Sequence, residues 1–327
     1  MKVLFVGPRN PDHLMSCLWD GMQEVLGEEN VVDAVNNPWL HRSTVAAVVA
    51  NTDSFGFNVL LDLGTSREGR RLDDARNERF DVLVVHSSFN RDHDWAWARQ
   101  FESLLTDNAR IAYVEGWDAA WQVEWPEISV DAVFRKEIWS GSQYVYDPIH
   151  LTFAAPERWF DAYPQQKREW DVVFIGNPDS VHPHKPNLRW RMMRQVFDTR
   201  RHHKAVVASR GLGFDAYYRI LGSAKLALCP TAADSSDSMR TYEAVTCGAI
   251  PVFVEYPNHT RDPWFPGETS ISCEVDTLAA HLDDALSHDL EPMRRRLRDH
   301  AIVHHTTKAR ALKVLTTLGF QRGKDFK

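Results

Sequence analysis

Cysteine is scarce in this 327-residue chain: Cys17, Cys229, Cys247 and Cys273 are the whole complement, with no C-x-x-C pair among them. That argues against a disulfide framework or a cysteine-based zinc site and leaves buried thiols as the expectation. Long apolar runs are missing too. No stretch approaches the ~20 residues that cross a bilayer. The opening MKVLFVGPRN meets Gly-Pro after a short apolar run, which reads as a strand and not as a signal peptide, so a cytoplasmic protein without a membrane span is expected. Nor is there a basic excess. The 38 Lys and Arg residues face 45 Asp and Glu, for a formal net charge of −7, which argues against a passive nucleic-acid coat but leaves room for a local basic groove. Repeats at solenoid periods and low-complexity tracts are absent.

What is present is the composition of a soluble globular protein, 43% hydrophobic and 25% charged, long enough for two domains of ordinary size. Short apolar runs alternate with amphipathic stretches. Strands are expected at 2–7, 31–35, 58–64, 81–87, 110–116 and 131–136, then at 170–176, 204–209, 225–230, 250–255 and 269–275. Several are continuous rather than alternating, as in parallel sheets covered on both faces by helices. Helices are expected at 13–27, 95–107, 186–199, 213–224, 238–248 and 277–288. The run KVLFVG near the N-terminus is mirrored by DVVFIG at 171–176, after an aperiodic stretch. Two α/β domains of Rossmann type follow, at 1–165 and 166–327, with a linker near 160–168.

The most informative segment is SSDSMRTYEAVTCGAIPVFVE, 235–255. It follows the strand KLALCP, and in an open α/β sheet ligands gather at the carboxyl ends of strands, near helix N-termini. Ser238 is placed to cap a helix, with the N–H groups of Met239, Arg240 and Thr241 turned to the preceding loop. Arg240 adds a charge that forks onto a phosphate. Glu243 lies one helical turn (~5 Å) on, and its carboxylate suits the hydroxyls of a ribose. The plainer alternative is a surface Arg–Glu pair at i, i+3. Gly248 would end the helix and Pro251 would open the next strand.

With these residues in place, SMRTYEAVTCGAIPV resembles the donor-site signature R-x-x-E-A-x-x-x-G-x-x-P-V of GT-B glycosyltransferases. The lead-in YYRILGSAKLALCP, and the segments RIAYVEGWDAAW, DAVFRKEIW and WDVVFIGNPDSVHPHKPNLRWRMM, are most similar to spore-maturation-protein-like, exostosin-like members. The likeness has clear motifs over about 110–255. It implies an α/β fold of two Rossmann-like domains facing across a cleft, the GT-B architecture, and a nucleotide-sugar donor on the second domain. It further implies an acceptor on the first domain, and neither cofactor nor metal. Carried over by position, Glu243 would bind the donor ribose, Ser238, Met239 and Arg240 the diphosphate, and Gly176 would let backbone approach the donor. The last helix, about 306–320, becomes a candidate to pack back on the first domain. Many retaining members carry a second glutamate eight residues before the ribose-binding one; Ser235 stands there instead, with Asp234 and Asp237 nearby, so stereochemistry stays open.

Such a reaction needs cations at the leaving diphosphate. After Arg240 the candidates are Lys185, Arg189 and Arg191, following the Gly176 loop. An inverting reaction also needs a base. Asp12 and His13, after the Gly7 turn, and Asp118, after YVEG, are the candidates; Asp12 would otherwise cap a helix and Asp118 close a turn. The histidine pairs 182/184, 202/203 and 304/305 lack zinc spacing, and His182 and His184 could instead face donor phosphate. Nine of the twelve tryptophans precede residue 160, as core or as sugar-stacking rings. The basic clusters 189–204 and 294–300 would suit a polyanionic acceptor such as DNA or an acidic glycan, or form solvated helix faces. The sequence therefore points to a metal-independent hexosyl- or pentosyltransferase whose acceptor is a glycan, a protein, a small molecule or a modified DNA base. A nucleotide-sugar hydrolase or epimerase, and a non-catalytic nucleotide-binding or interaction module, are the alternatives.

Overall fold

The computed structural model describes residues 1–7, 12–38, 40–41, 69–87, 98–116, 129–136, 138, 146–162, 166–176, 187–197, 204–208, 214–230, 238–254 and 267–326. The chain divides into two compact units, Met1–Pro156 with Thr306–Lys327, and Glu157–His305.

The first unit is built on strands β1 (Val3–Val6), β2 (Val31–Asp33), β3 (Arg70–Arg71), β4 (Phe80–Ser87), β5 (Leu105–Glu115), β6 (Ala132–Arg135) and β7 (Ile149–His150). They form one sheet in the order β3-β2-β1-β4-β5-β6-β7, with every pairing parallel. Both faces are covered, which is why the central strands are apolar without alternation. Leu4, Val6, Leu83, Val85 and Tyr113 enter one buried cluster. Phe5 meets the Trp19 ring edge-on at 5.4 Å, on helix α1 (His13–Leu26). Asp12 caps α1, accepting the Met15 N–H at 2.9 Å, and Gly27 follows its last turn at φ 89°.

The expected strand at 58–64 lies outside the described residues. The expected helix at 95–107 is present at 98–100, where its described part begins, but it ends early: a short turn closes at Leu104, and β5 begins at Leu105, opposite Phe80. Pairing with β4 and burial of Leu104 and Leu105 against the core override the helical spacing.

The second unit carries β8 (Trp170–Ile175), β9 (Ala205–Ala208), β10 (Ala224–Pro230), β11 (Ile250–Val254) and β12 (Ile271–Cys273), all parallel, in the order β12-β11-β10-β8-β9. Its helices are α2 (Leu188–Phe197), α3 (Phe214–Gly222), α4 (Met239–Thr246), α5 (Leu278–Ser287) and α6 (Glu291–His304). Residues before 165 already belong here: Trp159 meets Tyr218 edge-on at 6.0 Å, and the Arg298 guanidinium lies 5.7 Å from the Phe160 ring.

Helix α4 ends as its sequence suggests. Gly248 sits at φ 72°, and the N–H groups of Gly248 and Ala249 bond the carbonyls of Val245 and Ala244, both at 2.9 Å, closing a Schellman motif. Two arginines finish the cap: Arg168 donates to the Gly248 carbonyl at 3.0 Å and Arg294 at 2.7 Å. Cations are favoured at a helix C-terminus.

After His305 the chain returns to the first unit. Helix α7 (Thr307–Thr317) is capped by the Thr306 hydroxyl, which accepts the Ala309 N–H at 3.1 Å. The Thr307 N–H bonds the Ala155 carbonyl, and its hydroxyl donates to Asp20 on α1 at 2.7 Å. All four cysteines are buried free thiols, and no helix among the described residues is long and apolar enough to cross a membrane.

Candidate functional site

In the second unit the strand order reverses between β8 and β10. The carboxyl ends of those strands flank the crevice where open α/β sheets bind ligands. Gly176 follows β8 and α4 follows β10 at this edge.

Arg240 is anchored here. Its Nε donates to the Ile175 carbonyl at 2.7 Å, and its guanidinium lies 5.3 Å from the Phe174 ring centroid. Among the described residues nothing else bonds its two terminal nitrogens. A Cβ at Gly176 would fall 2.7 Å from Nη2 of Arg240 and 3.1 Å from Cζ of Phe174, so the glycine is what leaves room for the fork. Arg189, on the first turn of α2, is half-buried, and burial followed by the Arg240 charge pulls its pKa down to about 10. Two cations thus converge on one strand end.

Glu243 lies one turn deeper, 5% exposed. It is no surface partner of Arg240: Tyr217 of α3 donates its phenol proton to Oε2. Burial pushes the Glu243 carboxyl up to about 7, only partly offset by the Tyr217 hydrogen bond and the Arg240 charge. The Tyr217 phenol is itself driven well above its ordinary value, by burial first and the Glu243 charge next, so it stays a donor.

A stability consequence follows from the sign of the Glu243 shift. The folded protein holds this proton more tightly than the unfolded chain. The resulting stabilisation is complete below the ordinary value of 4.5 and is lost as pH rises towards about 7. Above that, the buried charge costs about 3 kcal/mol. Glu243→Gln should therefore melt roughly 6–12 °C higher than the parent at pH 8 and only about 2 °C higher at pH 5. Equal shifts at both pH values would show that the carboxylate is not held in a desolvated site.

The cap at the start of α4 differs from expectation. Ser238 has extended backbone, but its hydroxyl makes no cap hydrogen bond; the Thr241 N–H bonds the Ser238 carbonyl at 3.0 Å instead. Of the three N–H groups expected to face the loop, that of Thr241 is used, leaving those of Met239 and Arg240 at the helix start. Met239 itself is buried.

Lys185 lies outside the described residues, as do His182, His184, His202, His203, Asp234, Ser235 and Asp237. Arg191 pairs with Asp276 at 2.8 Å and points its charge there. The basic cluster 294–300 is only partly a solvated face, since Arg294 is buried with its bonds to Gly248 and Glu291.

In the first unit the corresponding reversal lies between β1 and β4. Gly7 follows β1, and a Cβ there would sit 2.7 Å from Sδ of Met15. Asp12 is the cap of α1 and also touches Nε2 of the fully buried His86 at 3.2 Å. Burial would raise its pKa, but the charge and hydrogen bond of His86, then the Met15 N–H and the His13 charge, hold it at about 2. That is the wrong direction for a base working near neutral pH; what the geometry shows for Asp12 is a helix cap in contact with His86. His13 lies edge-on to Phe153 at 5.9 Å. Asp118 lies outside the described residues.

Two residues here escaped the sequence reading. His86 closes the apolar run DVLVVHS at a strand's carboxyl end, a position that was its only signal. Tyr217 stands 26 positions from Glu243, and no local pattern links them. Among the described residues no group of three or more His, Cys, Asp or Glu side chains is placed to hold a metal ion.

At the level of sequence, no family model and no curated protein matches the chain. Solved structures do match. A glycosyltransferase from Rickettsia africae is similar with a TM-score of 0.57 at 10% identity, over 97% of each chain. HepE from Anabaena in complex with UDP gives 0.56 at 9% identity, over 98% of this chain and 100% of that one, and its UDP-glucose complex gives 0.53. AviGT4, a glycosyltransferase involved in avilamycin A biosynthesis, gives 0.53 at 14% identity, over 98% and 97%. With parallel α/β units and these neighbours, the chain has the fold of the GT-B glycosyltransferases.

Proposed function

We propose that this protein is a glycosyltransferase that takes a sugar from a nucleotide-sugar donor, and that the donor binds the second unit at Gly176, Arg189 and the start of α4. The observation that carries the reading is the Arg240 fork, anchored through Nε and aimed across a glycine at a strand's carboxyl end. Glu243 lies one turn behind it. In the reaction the acceptor oxygen forms a bond to the anomeric carbon while the bond from that carbon to the diphosphate oxygen breaks. The electron pair leaves on the diphosphate, and the acceptor proton passes to a base or to the leaving group. Arg240, Arg189 and the N–H groups of Met239 and Arg240 supply fixed positive charge where negative charge develops, which is the largest single contribution such a site makes. This reading calls for neither metal nor cofactor. The acceptor is a hydroxyl compound of open class, a polyanion included.

Thermal melting against a panel of nucleoside diphosphates and nucleotide sugars tests the reading. The complexes of HepE with UDP and UDP-glucose put the uridine compounds first in the panel. A ligand present at a hundred times its Kd should stabilise by ~2.7 kcal/mol, and Glu243→Ala should abolish the shift. A second product formed when an acceptor is added separates transfer from hydrolysis or epimerisation. A panel that never moves the melting curve would overturn the proposal in favour of an interaction module.

A further inference from the structure

We infer that Tyr217 is a positioning residue of the donor site, holding Glu243 so that one carboxylate oxygen is committed to the protein and the other is presented, ionised, to the ligand's hydroxyls. The inference rests on the glycosyltransferase reading above and deepens it.

The geometry is specific. Tyr217 reaches from α3 to Oε2 of Glu243 on α4. The phenol is braced by an edge-on contact with Tyr218, rings 5.2 Å apart, and Tyr218 is braced in turn by Trp159 at 6.0 Å. All three rings are buried. A carboxylate locked at one oxygen cannot rotate, so the other is preset in direction, and the ordering cost is met on folding rather than on binding.

The same hydrogen bond favours the ionised form. Burial drives Glu243 towards the neutral acid, and Tyr217 is the largest of the influences opposing it, ahead of Arg240. Among the described residues the elements packed on α4 bring further titratable groups, Tyr218 and Arg219 from α3 first. Cys247, the residue that ends α4 itself, is a thiol pushed beyond the range in which it ionises, by burial and then by Glu243. From α6 Arg294 bonds the Gly248 carbonyl at the far end of α4, as Arg168 does. Strand β10 brings Lys225, paired with Asp171 at 2.6 Å, and buried Cys229; β11 brings no titratable group. Without Tyr217 the site would hold more of the neutral acid at neutral pH, and a neutral acid accepts ligand hydroxyls less well.

The test is UDP affinity by calorimetry from pH 6 to pH 9 for the parent protein, Tyr217→Phe, Glu243→Gln and the double variant. The nucleotide's own phosphate titration is common to all four and is read from Glu243→Gln. Expected is a Tyr217→Phe protein that binds about tenfold more weakly at pH 7 and recovers to within about threefold of the parent at pH 9. The double variant should bind like Glu243→Gln alone, the signature of a residue acting through its neighbour. Weakening by one factor at every pH, or a further loss in the double variant, would mean a merely structural role and would overturn the inference while leaving the donor site standing. If the parent binds neither UDP nor any other panel nucleotide, the glycosyltransferase reading and this inference fall together.

Discussion

Replacing Arg240 by alanine is expected to lower kcat/KM for the nucleotide sugar by about 100- to 1,000-fold, the range seen when one preorganised donor to a developing anion is removed. The loss should fall on kcat as well as on KM, because charge on the diphosphate grows as the glycosidic bond breaks. Stability should change much less. The Ile175 carbonyl loses its partner, about 1 kcal/mol, and Phe174 loses a cation over its ring.

Lysine at position 240 should rescue little. An ammonium group cannot donate to the Ile175 carbonyl and at the same time present a planar fork over Gly176. The pair of variants therefore separates two accounts of the residue. If only net charge matters, lysine restores most of the activity. If the anchored fork matters, as the bond to Ile175 indicates, lysine stays within about tenfold of alanine. An alanine variant within fivefold of the parent would place the diphosphate elsewhere and remove the main support for the proposed function.

Arg240, Glu243, Gly248 and Pro251 were legible in the sequence because their relations are local. Helical spacing, the C-terminal glycine and the strand-opening proline sit within one short segment, and local rules suffice for them. What the sequence could not give is contact across elements. That Arg240 turns to Ile175 rather than to Glu243, and that Glu243 is taken by Tyr217, depends on how α3, α4 and β8 pack. The continuous apolar runs located the central strands of both sheets, because burial on two faces leaves that mark. Edge strands β3 and β7, two residues each, leave none. Helix α6 was read only as a basic cluster, because its arginines serve a helix cap and a neighbouring ring instead of lying on one polar face. Ser238 looked like a side-chain cap, yet the Thr241 N–H found the backbone carbonyl first.

The largest loss of stability is expected from a substitution that sequence rules would score as favourable, Gly21→Ala in the middle of α1. Alanine is the better helix former by ~1 kcal/mol, and Gly21 occupies an ordinary helical position. A Cβ there would fall 2.0 Å from the carbonyl oxygen of Thr307 and 2.4 Å from its carbon. Those are backbone atoms at the start of α7, and no rotamer change relieves them. The helices must separate, and the Thr307–Asp20 hydrogen bond (2.7 Å) between buried partners goes with them. Overpacking costs ~1–3 kcal/mol where side chains can give way; against rigid backbone, with a buried hydrogen bond also lost, about 3 kcal/mol net is expected. For a unit of this size that is a fall in Tm of roughly 6–12 °C. The affinity for nucleotide should be unchanged well below the transition, because the residues of the proposed donor site all belong to the other unit. A variant melting at or above the parent would show that propensity outweighs the contact, and that α7 docks on α1 with more slack than a glycine-only approach allows.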